Sequence, residues 1–411
     1  MRRPQSLDDN AMSIGPDTPA AAAIKTGAAP TPFQTGSVLL LSLCHFIHDI
    51  YSSFLSPLLP LLIEKHAMSL TRAGLLSTVM QIPALFNPLI GVWADRISMR
   101  WFIILAPAMT AVPMSLIGTA PNYGVLMLLL FVTGISVSLF HVPSPVMVAK
   151  LSGSRKGRGM SFFMTGGELA RTVGPLAAVA GVSALGLEGF YPMMGFGVAA
   201  SIWLFFQFKD VPIGSGRRRP ASLMGSWRAM RHVMLPLLGI LCARGFMHAS
   251  VSTFLPTFIR LQTGDLWLAG IALTLVEAAG VGGVLASGSL SDRFGRRRIL
   301  VISLLGAPLA LLGFVYLEGW MRFAALIATG FTLLSTTPVM LALVQEQNPA
   351  QPAAANGFYM MASFMARSAV VVIVGFLGDM IGLEATYLCS AVLGLMGIPF
   401  ILMLPGKEKT G

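Results

Sequence analysis

Long apolar stretches alternate with short polar segments along almost the whole chain. A helix that crosses the hydrocarbon core of a membrane needs about 20 consecutive, mostly apolar residues. Twelve stretches meet this requirement, and we number them spans 1 to 12: residues 38–63, 73–94, 101–119, 124–149, 159–184, 190–208, 233–259, 267–290, 299–317, 321–345, 356–378 and 384–405. The pattern therefore predicts an all-α membrane protein with twelve transmembrane helices.

The polar segments divide the chain into two halves of six spans. Residues 1–35 are polar and rich in Ala and Pro, so we expect a flexible cytoplasmic tail rather than a signal peptide. The longest later polar segment, residues 209–232, is predicted to be a central cytoplasmic loop. One six-helix bundle is then expected at 36–208 and another at 233–405, followed by a short cytoplasmic tail at 406–411.

Composition agrees with a membrane protein. Hydrophobic residues make up 55% of the 411 residues and charged residues only 11%, whereas a soluble domain carries about 25% charged residues. A soluble enzyme, a disordered chain and a nucleic-acid-binding protein are therefore disfavoured, despite a pI near 10.1. The three Cys residues all fall in apolar stretches, so no disulfide framework is expected.

Basic residues are distributed unevenly across the predicted membrane. Of 28 Lys and Arg residues, 21 lie on the side that holds both termini and the central loop, four lie on the opposite side, and three lie inside spans. Because loops rich in Lys and Arg remain in the cytoplasm, we expect both termini to be cytoplasmic. The protein is then a multi-pass protein of the inner membrane, in contact with the lipid bilayer.

The two halves share motifs in register. Span 1 from Cys44 to Leu55 matches span 7 from Arg244 to Leu255 at an offset of 200, with Phe, His, Ser, Phe and Leu in common. Related segments also follow spans 2 and 8, at an offset of 197, and spans 5 and 11, at an offset of 196. Three matches in the same order predict a parallel repeat of six spans, which is a known transporter architecture.

The segment Gly288-Ser-Leu-Ser-Asp292-Arg293-Phe-Gly-Arg-Arg-Arg resembles the loop signature of the major facilitator superfamily, G-x-L-x-D-R-x-G-R-R/K. The copy after span 2 keeps Gly91, Asp95 and Arg96 but has Ser98 where the second Gly would be. The resemblance implies two six-helix bundles related by a pseudo-two-fold axis. It also implies a cytoplasmic latch, which would comprise Gly91, Asp95, Arg96, Asp292 and Arg293. The alternative is that these are ordinary helix-end charges.

Spans 4 and 5 resemble the fosmidomycin-resistance-type efflux branch of that superfamily. Span 4 has Gly134 followed by Phe140-His141-Val-Pro143, which is similar to the Gly…Phe-His-Pro pattern with one inserted Val. Span 5 continues with Gly166-Gly167 and with Gly174-Pro175. The last pair also resembles a motif of drug/proton antiporters, although Ala177-Ala178 replaces the Gly pair that ends that motif.

Ionisable side chains inside the spans carry the strongest functional signal, because a charge at the membrane centre costs about 2.5–3.5 kcal/mol. None lies in the core of spans 3, 6, 9 or 12. We therefore expect every third span to face lipid and the others to line a cavity. The substrate-cavity candidates are His45, Gln81, His141, Arg171, Arg244, His248 and Arg367.

Four residues are candidates for proton coupling: Asp49, His48, Glu168 and Glu277. Helical spacing places Asp49 on one face with the histidines of span 1, and a His beside a carboxylate suits a proton carrier. Glu168 is three residues before Arg171 and can pair with it, and Glu277 corresponds to Gln81 in the repeat. Structural roles stay open for each group. Asp49 and His48 could join span 1 to span 7, and Arg244 and Arg367 could bond to Glu277 or to helix carbonyls.

Other chemistries have weaker support. His45-x-x-His48-Asp49 offers two imidazoles and a carboxylate, but without nearby Cys or Met residues we expect no metal site. No phosphate-binding Gly-rich loop with a Lys is present, so ATP-driven transport is unsupported. No nucleophile–base constellation stands out, so the protein is not expected to be an enzyme or to need a cofactor.

The sequence thus predicts a secondary active transporter that works by alternating access. The preferred function is proton-coupled efflux, or antiport, of a small organic molecule or drug, by a protein that acts as a monomer. The alternative is proton-coupled uptake, or symport, of an organic anion, which the three Arg residues inside spans suggest. A non-transporting sensor is disfavoured because no extra soluble domain is seen to relay a signal.

Overall fold

The computed structural model describes residues 33–87, 90, 100–153, 155–209, 223–347 and 352–404, and within these residues the secondary structure is helical, without strands. The α-helices are Thr35–Ser52, Leu55–His66, Leu70–Gln81, Arg100–Leu116, Tyr123–His141, Ser144–Leu151, Lys156–Leu185, Met194–Phe208, Leu223–Ser252, Leu255–Thr263, Leu266–Phe294, Arg296–Tyr316, Gly319–Gln347, Pro352–Leu395 and Gly397–Leu402. Short 3₁₀ helices lie at Ile82–Phe86, Ile117–Thr119 and Glu188–Met193.

The helices follow the predicted spans closely. Nine helical segments of the described chain are long and apolar enough to cross a membrane, and one of them, Phe358–Leu402, contains both span 11 and span 12. Part of span 2 lies outside the described residues, so the count of twelve is consistent with the structure. The protein is therefore an all-α, multi-pass membrane protein.

Spans 1 and 7 are each broken into two helices at equivalent positions. The breaks follow Ser52 and Ser252, and the second helices begin at Leu55 and Leu255. Pro57 and Pro256 lie just inside these second helices. A proline has no N–H to donate to the carbonyl four residues earlier, so the helix is interrupted there.

The repeat predicted from sequence is visible in backbone geometry. Span 5 ends at Gly186, with φ 74° and ψ 162°, and span 11 ends at Gly382, with φ 78° and ψ 159°. This positive-φ conformation is one that glycine adopts without strain. Two residues 196 apart thus make the same turn after equivalent spans.

Helix packing also repeats between the halves, and it shows which residues of spans 2 and 8 correspond. The carbonyl oxygen of Met80 in span 2 lies against Gly134, and that of Val276 in span 8 lies against Gly330. Both partners are 196 residues apart. The residues that follow Met80 and Val276 are Gln81 and Glu277, so the structure supports their predicted equivalence.

The largest difference from the sequence prediction is at the central loop. Residues 209–232 were expected to form a loop, but a helix begins at Leu223 and continues into span 7. Its inner face is apolar, since Met230, Val233 and Met234 are buried in the C-terminal half, whereas Arg228 and Arg231 are exposed. An amphipathic turn of this kind is missed when spans are sought as uninterrupted apolar runs.

The buried apolar core is shared by both halves at one end of the molecule and divided at the other. One cluster contains Phe54 and Leu58 of span 1 together with Phe254 and Phe258 of span 7. Two further clusters lie at the opposite end, one within each half. That divided end carries the predicted cytoplasmic loops. Among the described residues, the two halves therefore share one core at the end opposite the predicted cytoplasmic loops, which we call the outer end, and have separate cores at the end of those loops, which we call the cytoplasmic end.

Two seams hold the halves together at the outer end. At the seam between spans 2 and 11, Gly74 faces the carbonyl oxygen of Val371 and Gly375 faces that of Leu70, so closely that an added Cβ would lie 2.7 and 2.4 Å from those oxygens. At the equivalent seam between spans 5 and 8, Gly270 faces the side chain of Val179. Val179 corresponds to Gly375 in the repeat. The contact in the second seam is therefore made by a side chain, whereas in the first seam backbone contacts backbone.

Candidate substrate and coupling site

Span 1 presents a buried carboxylate to three histidines. Asp49 lies 2.8 Å from Nδ1 of His48, 3.2 Å from Nε2 of His45 and 3.4 Å from Nε2 of His141, measured to its carboxylate oxygens. The sequence analysis placed His45, His48 and Asp49 on one helix, and the structure adds His141 from span 4. We call His45, His48, Asp49 and His141 the Asp49 cluster.

Contacts to spans 4 and 5 hold the Asp49 cluster in place. Nδ1 of His45 lies 2.7 Å from the carbonyl oxygen of Phe163, and Nδ1 of His141 lies 3.0 Å from that of Val137. The ring of His45 stacks on Phe163 at a centroid distance of 4.1 Å. These contacts all lie within the N-terminal half. The structure therefore does not support the alternative in which Asp49 and His48 join span 1 to span 7.

A second group brings charges of both halves together. Arg171 forms an ion pair with Glu168 of its own helix, as the spacing predicts. The side chain of Arg171 is nevertheless 48% exposed in the middle of span 5, so it faces an opening inside the bundle. Glu277 of span 8 interacts electrostatically with Arg171 and with Arg367, and it accepts a long 3.5 Å hydrogen bond from Ser252. Arg171 thus lies between carboxylates of the two halves.

The C-terminal half contains a small cationic pocket. It is lined by Leu241, Arg244, Gly245, His248, Ser363 and Arg367. Three predicted cavity residues, Arg244, His248 and Arg367, therefore come together in one pocket. We call it the arginine pocket.

Polar groups of the arginine pocket lack partners. Arg244 donates from Nη2 to the carbonyl oxygen of Leu333 at 3.3 Å, but its buried Nε has no hydrogen-bond partner among the described residues. Within that same part of the chain, no carboxylate lies within ion-pair distance of Arg244 or Arg367, so the alternative of an ion pair with Glu277 is not realised. The bond from Arg244 to Leu333 matches the other alternative, a bond to a helix carbonyl. The pocket therefore presents two guanidinium groups without a carboxylate in direct contact, although Glu277 interacts with Arg367 electrostatically.

Some predicted residues lie apart from these groups. Nε2 of Gln81 donates to the carbonyl of Ser77 on its own helix, and its Oε1 is buried without a described partner. In the predicted latch, Asp292 pairs with Arg296 at 2.7 Å, and Arg296 pairs with Glu346 at 2.8 Å. The guanidinium of Arg293 instead lies over the ring of Phe294. The remaining latch residues, Gly91, Asp95 and Arg96, lie outside the described residues.

Sequence reasoning missed Tyr359 and Ser363 on span 11 and Asp379 just beyond it. Tyr359 has a buried hydroxyl without a described partner and interacts electrostatically with Arg244 and Arg367. Tyr359, Ser363 and Arg367 follow one another at intervals of four residues and so share a helix face. Polar residues at that spacing from a mid-span Arg were the signal that could have identified Tyr359 and Ser363.

Asp379, just beyond span 11, joins the halves at the outer end. Its carboxylate accepts hydrogen bonds from the backbone N–H of Leu70 at 2.7 Å and of Thr71 at 2.8 Å, and from the Thr71 hydroxyl. These are the first N–H groups of the span 2 helix, which have no partners within that helix. Glu64 and Arg260 add an ion pair across the same end at 3.7 Å. The outer end is thus closed by polar contacts as well as by the apolar core.

Two helical halves that enclose an opening lined with charged side chains define a membrane transporter. Comparison with known proteins agrees. The chain belongs to the Major Facilitator Superfamily, since the model of that family matches residues 41–320 and again residues 268–411.

Relatives in sequence include drug-resistance transporters. The chain is 26% identical over 413 residues to the fosmidomycin resistance protein of Escherichia coli, with 97% of this chain and 100% of that protein covered. It is 22% identical over 318 residues to the multidrug resistance protein MdtG of Serratia proteamaculans, with 72% and 76% covered. The predicted resemblance to the fosmidomycin-resistance-type branch is thereby confirmed.

Solved structures share the fold. A bacterial homologue of the lysosomal transporter Spinster, inward-facing and occupied, superimposes with a TM-score of 0.78 at 15% identity, covering 92% of this chain and 97% of that one. The nucleoside transporter NupG superimposes with a TM-score of 0.75 at 15% identity, covering 90% and 99%. The predicted major facilitator fold is confirmed by these similarities.

Proposed function

We propose that this transporter exports a small organic molecule with an anionic group in exchange for protons. The observation that carries the proposal is the arginine pocket, where Arg244 and Arg367 lack carboxylate partners among the described residues. A guanidinium binds carboxylate or phosphate groups through charge-assisted hydrogen bonds. An anionic substrate would supply the missing negative charge.

The coupling group in this proposal is Arg171 with its two carboxylates. Glu168 belongs to the same half as Arg171, and Glu277 belongs to the opposite half. Protonation of either carboxylate removes its attraction for Arg171, so the balance of charge between the halves changes. Because neutralisation weakens attraction across the cavity, a proton taken up here favours one facing over the other.

The conformation described above fits one stage of an alternating-access cycle. The shared core joins the halves at the outer end, and among the described residues the cores at the cytoplasmic end are separate, as expected of an inward-facing state. With both termini in the cytoplasm, as the charge distribution predicts, this is an inward-facing state of a monomer. The arginine pocket would then receive its substrate from the cytoplasm.

The direction of transport is supported by the relatives. The fosmidomycin resistance protein and the multidrug resistance protein MdtG are named for drug resistance, which export of a drug from the cell would produce. Uptake of an organic anion with protons is the second candidate, because a cationic pocket serves an anion in either direction.

Inside-out membrane vesicles test the proposal. Respiration acidifies the vesicle lumen, and small anionic antibiotics, fosmidomycin among them, are added outside while a fluorescent dye reports the pH gradient. An antiporter dissipates the gradient when its substrate is added outside, and Glu277→Gln abolishes that response. Glu318→Gln, which alters an exposed loop carboxylate, serves as the matched control.

The same vesicles separate the two directions. A symporter dissipates the gradient only when the substrate has been loaded into the lumen, because protons and substrate then leave together. Dissipation with lumenal substrate alone would therefore replace efflux by uptake. Equal responses from wild type and Glu277→Gln would remove Glu277 from the coupling mechanism.

A further inference from the structure

We propose that His45, Asp49 and His141 bind a divalent transition-metal ion, with Zn²⁺ as the expected ion. The proposal concerns the N-terminal half and does not depend on the proposed antiport. It revises the sequence-based expectation of no metal site, which considered only His45, His48 and Asp49 of span 1. The structure replaces His48 with His141 of span 4 in the ligand set.

The ligand atoms of the three residues lie close together, and each imidazole is nearest to a different oxygen of the Asp49 carboxylate. Nε2 of His45 lies 3.3 Å from Nε2 of His141 and 3.2 Å from a carboxylate oxygen of Asp49, and Nε2 of His141 lies 3.4 Å from the other oxygen. Zinc binds His nitrogen and carboxylate oxygen at about 2.0–2.2 Å in tetrahedral geometry, which separates neighbouring ligand atoms by about 3.3–3.6 Å. The distance between the two Nε2 atoms and the distance from each Nε2 to its nearest carboxylate oxygen are close to this spacing, and one ligand atom from each residue can be chosen so that all three lie within 4.8 Å of one another.

Backbone carbonyls orient both imidazoles toward the Asp49 carboxylate. Nδ1 of His45 donates to the carbonyl of Phe163 and Nδ1 of His141 donates to that of Val137. With the ring protons placed there, both Nε2 atoms carry lone pairs. A metal-binding His usually donates its other ring N–H to a carbonyl or a carboxylate in this way. The carboxylate is supported in the same way, since His48 donates to Asp49.

Positive charge is favourable where these three residues meet. Two Nε2 lone pairs and a carboxylate face one another within 3.4 Å in a mostly buried space, where such atoms repel unless a positive charge lies between them. One proton can join only two of the three residues. A metal ion can bind both Nε2 atoms together with one or both oxygens of the carboxylate.

The ligand types indicate the class of metal. Two imidazoles and one carboxylate suit Zn²⁺ and related transition metals, whereas Mg²⁺ and Ca²⁺ prefer sites built from oxygen. The site is closed on the side of His45 and Asp49, whose side chains are almost fully buried, and is open beside His141, which is 33% exposed. Arg171 interacts electrostatically with both His141 and Asp49. The fourth position therefore faces the opening at the centre of the bundle.

Metal binding by the purified full-length protein tests the proposal. The protein is prepared in detergent with a histidine-free affinity tag, stripped with EDTA at pH 7.5 and titrated with ZnCl₂ by calorimetry, and the retained zinc is measured by mass spectrometry. We expect one equivalent of Zn²⁺. We expect His141→Ala and Asp49→Asn each to lower the affinity at least about 10-fold.

His248→Ala is the matched control, because His248 occupies the position of His48 in the other half and lies outside the ligand set. It should bind Zn²⁺ as the wild type does. Asp49→Asn removes a buried charge and so can affect folding as well as metal binding. His141→Gln changes a partly exposed side chain and therefore provides a second test. Size-exclusion chromatography shows whether each variant is folded.

Co²⁺ reports the geometry directly, since tetrahedral and octahedral Co²⁺ differ strongly in visible absorption. A tetrahedral spectrum that is lost in His141→Gln supports the site. Failure of the wild type to retain Zn²⁺, an octahedral spectrum, or unchanged binding in His141→Ala would overturn the proposal. If the cluster binds only protons, the wild type will not retain Zn²⁺.

Discussion

The two halves carry the same helices but opposite chemistry at equivalent positions of spans 1 and 7. At the offset of 200, His48 corresponds to His248, Asp49 to Ala249 and Cys44 to Arg244. In the N-terminal half the Asp49 carboxylate therefore contacts three histidines. In the C-terminal half the Arg244 guanidinium has no carboxylate at ion-pair distance among the described residues. A scaffold that repeats closely can thus present an anion on one side of its cavity and a cation on the other.

The two regions also differ in how well their polar atoms are satisfied. Within the Asp49 cluster most polar atoms have partners at hydrogen-bond distance, although Nε2 of His48 has none among the described residues. In the arginine pocket, Nε of Arg244 and the hydroxyl of Tyr359 are buried without described partners. An unsatisfied buried group costs about 1–3 kcal/mol. The pocket retains that cost, which a bound anion would relieve.

The largest effect is expected from the arginine pocket. Arg244→Ala should lower transport of the anionic substrate found in the vesicle assay by about 10- to 150-fold, because a hydrogen bond to a charged group is worth about 1.5–3 kcal/mol. Initial rates in vesicles measure the loss. Arg228→Ala, an exposed position on the same helix, should transport normally. Normal transport by Arg244→Ala would show that the unpaired charge is not a substrate site.

The next largest effect should come from making the two seams alike. Gly375→Val gives the span 2–11 seam the side chain that Val179 supplies at the other seam, and its Cβ would meet the carbonyl of Leu70 at 2.4 Å. Overpacking costs about 1–3 kcal/mol, so the outer end should open. A cysteine at Val374, buried between the halves, should then react faster with a membrane-impermeant thiol reagent from outside.

The matched control for that seam is Gly282→Ala, whose added Cβ would have its nearest neighbour at 3.7 Å in the Phe331 ring. It should leave the reactivity at position 374 unchanged. All native cysteines are first replaced so that only the introduced thiol reacts. If Gly375→Val left that reactivity unchanged, spans 2 and 11 would not be in close contact in the membrane.

A smaller shift in the same assay is expected from Asp379→Asn. Asparagine keeps one acceptor oxygen but loses the charge that attracts the N–H groups of Leu70 and Thr71, which should cost about 1 kcal/mol, or several-fold in the balance of states. Asp265→Asn is the comparison, because Asp265 caps a helix of its own half. The comparison fails if both variants change thiol reactivity equally.

The smallest effect concerns the cytoplasmic end. Asp292→Asn breaks an ion pair in which the Asp292 side chain is 69% exposed, so thermal unfolding should change by less than about 1 kcal/mol in free energy. A shift in the thiol reactivity at position 374 without loss of stability would support a latch role for Asp292. Marked unfolding of the variant would instead assign the carboxylate to helix stability.

The sequence predicts the fold well because its signals are local. Apolar runs locate the spans to within a few residues, and the repeat can be recognised from Gly186 and Gly382, which make the same turn. The pair of Glu168 with Arg171 also follows from helical spacing. Such features depend on residues that are neighbours along one helix.

The parts that sequence could not predict depend on contacts between distant spans. His141 joins Asp49 across 92 positions of chain, and Asp379 reaches Leu70 from the other half. The choice between His48 and His141 as a neighbour of His45 depends on how span 4 is rotated. Rotation of one helix against another is set by packing over the whole bundle, and residue spacing does not encode it.

The unequal seams have a mechanical consequence. Between spans 2 and 11, backbone meets backbone through Gly74 and Gly375, whereas Val179 keeps spans 5 and 8 apart by the width of a side chain. Two bundles that rock about seams of unequal spacing are not expected to move symmetrically. In the proposed alternating-access cycle we therefore expect the close glycine seam to be the pivot and the seam at Val179 to move farther.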